Sequence, residues 1–166
     1  KTGSLFTVLH LPEESLCQQI DHWNFRLKGK GVYLTVLRRG RNGTLLYVFR
    51  PQRLTADLAR PCVAAFLRRY GYCDLTAQGA VERLRQRLGE GEEFPHEIGL
   101  FLGYPLEDVE GFMENRGKNC KCTGCWKVYG DEQAARLQFS RYEKCRTVYL
   151  RLFHAGRSVE ELTVAV

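Results

Sequence analysis

Three cysteines fall within six residues in CKCTGC, as Cys120, Cys122 and Cys125, and Cys145 follows after 19 intervening residues. Two thiolates separated by two residues can share one ion when the chain between them turns tightly. Gly124 permits such a turn. Four thiolates on Zn²⁺ leave a net negative charge, which Lys118, Lys121, Lys127, Lys144 and Arg146 can offset. The same donor set suits an iron–sulfur cluster, and the same cations favour disulfide exchange. The opposing reading is that the thiols are small hydrophobes, Cys145 on the apolar side of a helix among them. Only one C-x2-C step is present, so metal, redox pair and inert core all stay open.

A second candidate is PHEIGL, residues 95–100. A zinc protease helix places a second His one turn after His-Glu, and here that position is Leu100. The protease reading fails, but His96 and Glu97 retain the chemistry of an acid/base pair or of ligands. As helix-start residues they do structural work instead, Glu97 complementing the helix dipole. His10, His22 and His154 have no comparable setting and read as surface or core residues. A third candidate is EIGLFLGYPLEDVEGFMEN, whose spacing resembles a helix-turn-helix. Its second helix would present Glu107, Asp108, Glu110 and Glu114, a surface that repels phosphates. That argues against specific DNA binding.

The 166 residues carry 44% hydrophobic and 27% charged side chains, the balance of one soluble domain. No apolar run is long enough to span a bilayer, and the opening KTGSLFTVLH has no secretory pattern. Seven cysteines without such a pattern predict a reducing, cytoplasmic setting. The net charge of +6 is uneven, with residues 1–90 at +8 and residues 91–166 at −2. Arginine supplies most of the basic half. It suits an acidic protein partner, a small anionic ligand or nonspecific nucleic-acid binding, with Arg38 and Arg50 of the hairpin segment as candidate contacts.

These groups need elements to hold them. LFTV reads as a short strand. PEESLCQQIDHWNFRL reads as a helix with Leu16, Ile20, Trp23 and Leu27 on one stripe. GVYLTVLRR and TLLYVFR flank an Asn-Gly turn and predict a hairpin over about 32–50. A helix opening at Pro61 turns Val63, Phe66, Leu67 and Tyr70 inward, and the next spaces Ala77, Val81, Leu84 and Leu88 on one face. Two short helices follow around Pro95 and Pro105, with Gly103 and Gly117 at their ends. CWKVY reads as a strand, and a long helix covers about 131–154 with Phe139, Tyr142, Cys145, Tyr149 and Leu152 along its buried side. The expectation is a single α+β domain over 1–166, mostly helical, with a small antiparallel sheet.

Four stretches, PHEIGLFLGYPLEDVEGF, GCWKVYGDE, LLYVFRPQRLTADL and the ending GRSVEELTVAV, resemble the bacterial DUF3793 family, whose function is unknown. In that family KTGSLF follows a short N-terminal stretch, so the resemblance implies that such a segment precedes Lys1. It matches His96, Glu97, Gly103, Tyr104 and Pro105 to one family motif, and Trp126 to Gly130 to the next. It implies other residues at the positions of Cys120 and Cys125, which weighs against a metal site shared by the family. The expectation becomes a pocket lined by His96, Glu97, Tyr104, Lys127 and Tyr129. It would hold a metal ion, a cluster or a small anion. The enzyme alternative makes His96 the acid/base, Glu97 its orienter and Lys127 an anion holder, with no nucleophile identified.

Overall fold

A computed structural model describes residues 1–9, 11–90 and 94–165. His10 lies outside them, as does the Val166 that ends the GRSVEELTVAV stretch. The fold is mixed α+β, mainly helical, with small antiparallel sheets, as the sequence predicts. The chain gathers into two compact units, Lys1–Gly103 and Tyr104–Val166, and each is described by itself.

The first unit is built on a three-stranded antiparallel sheet in the order β1 (Gly3–Val8), β3 (Gly43–Phe49), β2 (Tyr33–Gly40). The hairpin closes where Gly40 pairs with Gly43, and a bulge at Leu37 shifts the register between Val36 and Arg38. Gly43 has φ of 117°, which an L side chain rarely adopts, so the Asn-Gly signal is explained by backbone need. Helix α1 (Glu13–Leu27) buries Leu16 and Leu27, with Ile20 and Trp23 packed against the Leu27–Val32–Leu34 cluster. That is the stripe the sequence predicts. Helix α3 (Pro61–Arg68) buries Val63, Phe66 and Leu67, and α4 (Ala77–Glu90) buries Ala77, Val81, Leu84 and Leu88.

One helix of this unit has no counterpart in the sequence reading. Helix α2 (Pro51–Leu58) starts at Pro51, whose fixed φ suits a first turn, and buries Leu54 and Leu58 one turn apart. Helix α5 (Ile98–Phe101) is a single turn, wholly buried. The core closes on Tyr47, whose ring stacks on Phe49 at 4.6 Å and whose hydroxyl donates to the Phe101 carbonyl at 2.6 Å.

The two outer strands of the sheet are treated differently. On β2, Asn24 of α1 spans Leu34, accepting from its N–H at 2.7 Å and donating to its carbonyl at 3.0 Å. Arg85 of α4 donates to the Val36 carbonyl at 2.8 Å. Side chains thus satisfy backbone groups that an edge strand otherwise leaves open.

The second unit contains α6 (Leu106–Glu114), a two-stranded hairpin of β4 (Cys122–Thr123) and β5 (Lys127–Val128), the long α7 (Glu132–His154) and a final turn α8 (Val159–Leu162). CWKVY does supply β5. The cluster at its centre is Trp126, Val128 and Ala135, packed by Tyr104, Cys122, Phe139 and Tyr142. Two expectations change here. Cys145 is exposed rather than on the buried side of α7, where only Ala135 is buried and Phe139, Tyr142, Tyr149 and Leu152 are half-buried. Asp108 is not part of an acidic surface: it is 3% exposed. A helix with apolar residues every three to four positions need not close over all of them, and α7 is fully covered only at Ala135 in its first turn.

Candidate functional site

In the first unit, β2, β3, α2 and α4 enclose an open cleft of about 410 Å³, lined by Tyr33, Thr35, Phe49, Pro51, Ala77, Gln78, Val81 and Arg85. Its size falls within the range of small-molecule sites. The strands set one wall by their alternation, since Tyr33 and Thr35 lie two apart on β2 and Phe49 pairs with Tyr33. The Tyr33 and Phe49 rings meet edge to face at 5.9 Å. The helix sets the other wall, because Ala77, Gln78, Val81 and Arg85 recur at helical spacing.

Arg85 is the one cation among the described residues of that lining. Its Nε donates to the Val36 carbonyl, one terminal nitrogen donates to Glu82 at 2.8 Å, and the other donates to Thr35 Oγ1. Those bonds use three of the five guanidinium N–H groups and fix its plane, leaving one on each terminal nitrogen. The arrangement is a pre-oriented fork beside an aromatic wall. Arg50 lines a separate, shallower hollow of about 180 Å³ with Lys1, Thr2, Gly3 and Ser4, and its guanidinium donates to the Lys30 carbonyl at 2.8 Å. Arg38 is exposed on β2.

His96 and Glu97 diverge in environment. His96 is exposed, with its ring 6.1 Å from that of Phe94. Glu97 is fully buried, and its Oε1 accepts from Arg87 at 2.9 Å and from the Tyr72 hydroxyl at 3.2 Å. Its Oε2 has no hydrogen-bond partner among the described residues. Burial, then the neighbouring Glu97, pushes the Tyr72 phenol above its ordinary range.

Tyr104, Lys127 and Tyr129 belong to the second unit, and each spends its polar group on backbone. Tyr104 donates to the Cys125 carbonyl at 3.3 Å and stacks on Trp126 at 4.8 Å. Lys127 Nζ donates to the Gly117 carbonyl at 2.6 Å, and the Tyr129 hydroxyl donates to the Lys118 carbonyl at 2.9 Å. The residue that organises this loop is Asp108, to which the sequence assigned only a surface charge. Its Oδ2 accepts from the Trp126 indole at 2.6 Å, and its Oδ1 accepts from the N–H groups of Tyr129 and Gly130 at 2.7 and 2.8 Å. Gly111, one turn on, lets α6 approach closely: a Cβ there would lie 2.5 Å from Tyr129 Cβ. An acidic residue near a helix start signals dipole compensation, so nothing in the pattern distinguishes Asp108 from Glu107.

The four cysteines are free thiols, Cys120 and Cys122 half-buried and Cys125 and Cys145 exposed. Cys120 Sγ lies 3.4 Å from Thr123 Oγ1. Among the described residues no group of three or more His, Cys, Asp or Glu is gathered to hold a metal. Nor is any described helix long and apolar enough to cross a membrane.

No curated protein and no solved structure matches the chain. A family model described as "Protein of unknown function (DUF3793)" matches residues 1–163, and the chain belongs to that family.

Proposed function

We propose that the protein is a binding module whose first unit takes a small aromatic carboxylate in the Tyr33–Arg85 cleft. The observation that carries this reading is Arg85, tied down by three hydrogen bonds on the wall of a cleft of about 410 Å³. A guanidinium held in plane loses little freedom on meeting a carboxylate and can offer it two parallel N–H bonds. Tyr33 and Phe49 supply the apolar surface for a ring, and Gln78 adds a polar group at the N-terminal end of α4. The ligand is a small anion, as the arginine-rich half suggests, but its place differs from the one the sequence favours. Glu97, Lys127 and Tyr129 each already hold a polar partner within their own unit.

The test is a titration with 4-hydroxybenzoate followed by NMR, with cyclohexanecarboxylate and inorganic phosphate as comparisons. The expected result is that the Tyr33, Gln78 and Arg85 signals move with 4-hydroxybenzoate and far less with either comparison. Arg85→Lys, which keeps the charge and loses the fork, then weakens binding by about tenfold, or 1.4 kcal/mol. If those signals stay still into the millimolar range, or Arg85→Lys binds as the parent does, the cleft is not this site.

A further inference from the structure

The sheet of the first unit has one guarded edge and one open edge. Asn24 and Arg85 satisfy the outward backbone groups of Leu34 and Val36 on β2. On β1 the alternation is set by the Arg50 N–H, which donates to the Thr2 carbonyl at 3.0 Å. Even-numbered residues therefore turn their backbone groups toward β3, and Gly3, Leu5 and Thr7 turn theirs outward. Among the described residues no hydrogen bond is made by the outward N–H or carbonyl of these three. The strand GSLFTV carries no charge and no proline, so it lacks the devices that ordinarily blunt an edge.

We infer that β1 pairs with β1 of a second copy of this chain, joining two three-stranded sheets into one of six strands. What completes an open edge is another strand, and a two-fold axis supplies one of identical sequence. Gly3 is buried within the chain, so pairing runs through the accessible end of the strand: with the axis at Phe6, Leu5 faces Thr7 of the copy and their outward groups meet in hydrogen-bonded pairs. A neutral strand meets its own copy without repulsion, whereas a lysine-bearing edge would not. Pairing over so short a stretch alone falls short of the roughly 1,000 Å² of a lasting interface. Phe6, Leu9 and Leu11, which are 44%, 57% and 39% exposed, lie on or just after the strand and supply apolar area. The cleft lies on the β2 side of the sheet, so pairing through β1 leaves it available.

The test is sedimentation velocity over a dilution series on the full chain, together with amide hydrogen exchange. The expected result is a dimer that dissociates on dilution, with the Leu5 and Thr7 amides protected only at high concentration. Thr7→Lys puts an exposed charge on the edge without touching the β1–β3 bonds, and it should weaken association by about tenfold or more. Its circular dichroism and its response to 4-hydroxybenzoate should match those of the parent chain, which separates loss of pairing from loss of fold or of the cleft. A monomer at every concentration would overturn the pairing. So would a dimer whose Leu5 and Thr7 amides exchange freely, or one that Thr7→Lys leaves intact.

Discussion

The two units solve the same problem with different materials. Of 27 buried apolar residues among those described, 23 lie in Lys1–Gly103 and four, Val109, Trp126, Val128 and Ala135, lie in Tyr104–Val166. The first unit is a sheet and helices closed over a large apolar interior, where area removed from water is the main stabilising term. The second has too little such interior to fix the loop between α6 and α7. It fixes that loop with polar groups: Asp108 receives three N–H bonds, and Lys127 and Tyr129 each hold a carbonyl. Where burial is scarce, hydrogen bonds must be satisfied nearly completely, because each buried group left open costs more than a made bond returns.

The comparison breaks most sharply at Asp108. Asp108→Ala leaves the Trp126 indole and two backbone N–H groups without their acceptor, and the expected cost is about 3–5 kcal/mol. The chain has two tryptophans, Trp23 in the first unit and Trp126 in the second. In a Trp23→Phe background, urea unfolding followed by Trp126 fluorescence reports on the second unit. The Asp108→Ala midpoint should fall far below that of the background, with the Tyr129 and Gly130 amides losing their exchange protection. An unchanged midpoint would mean that the loop is held by something other than this carboxylate.

What was legible in the chain follows the same division. Elements that bury a stripe announce themselves by spacing, and α1, α3 and α4 are read with the residues they bury. Helix α2 escapes notice because Leu54 and Leu58 alone mark it over eight residues. Polar clamps leave no period. Asp108 looks like any acidic residue of a first helical turn, and Cys145 looks apolar-facing because an amphipathic pattern does not say how many turns find a partner. The cleft was invisible for a related reason. Tyr33 and Phe49 are two aromatic residues of the hairpin segments and Arg85 one arginine among many, and only the placement of α4 beside β2 brings them together.

Alkaline pH should separate the units by a smaller amount. Tyr47 and Tyr72 are fully buried in the first unit, and burial raises both phenols above the ordinary value of 10.0. Their neutral forms are thus kept by the folded state. That contribution is fully present below pH 10 and is lost as pH climbs, because the unfolded chain releases both protons while the folded one retains them. Each phenol then removes about 1.4 kcal/mol of stability per pH unit above its unfolded value. Burial also raises Tyr104 and Tyr129 in the second unit, but both rings are only half-buried. Denaturant melts between pH 9 and about 11 should show the first unit losing stability more steeply. Tyr47→Phe should remove about half of that slope, at the cost of the bond to the Phe101 carbonyl. Equal slopes for the two units would contradict the assignment.

The smallest effect sharpens the comparison most, because it tests the polar device inside the apolar unit. Asn24 spans Leu34 much as Asp108 spans Tyr129 and Gly130, a side chain satisfying backbone groups in place of a strand. Behind Leu34, however, lies the cluster of Leu27, Val32, Ile20, Trp23 and Val48, which holds β2 in place without the amide. Asn24→Ala should therefore cost only about 1 kcal/mol, the net worth of an ordinary hydrogen bond with water replacing the lost partner. A Trp126→Phe background makes Trp23 the reporter for that melt. Should Asn24→Ala prove as damaging as Asp108→Ala, the β2 edge would depend on its amide as the α6–α7 loop depends on its carboxylate. The contrast between a unit held by burial and a unit held by polar clamps would then fail.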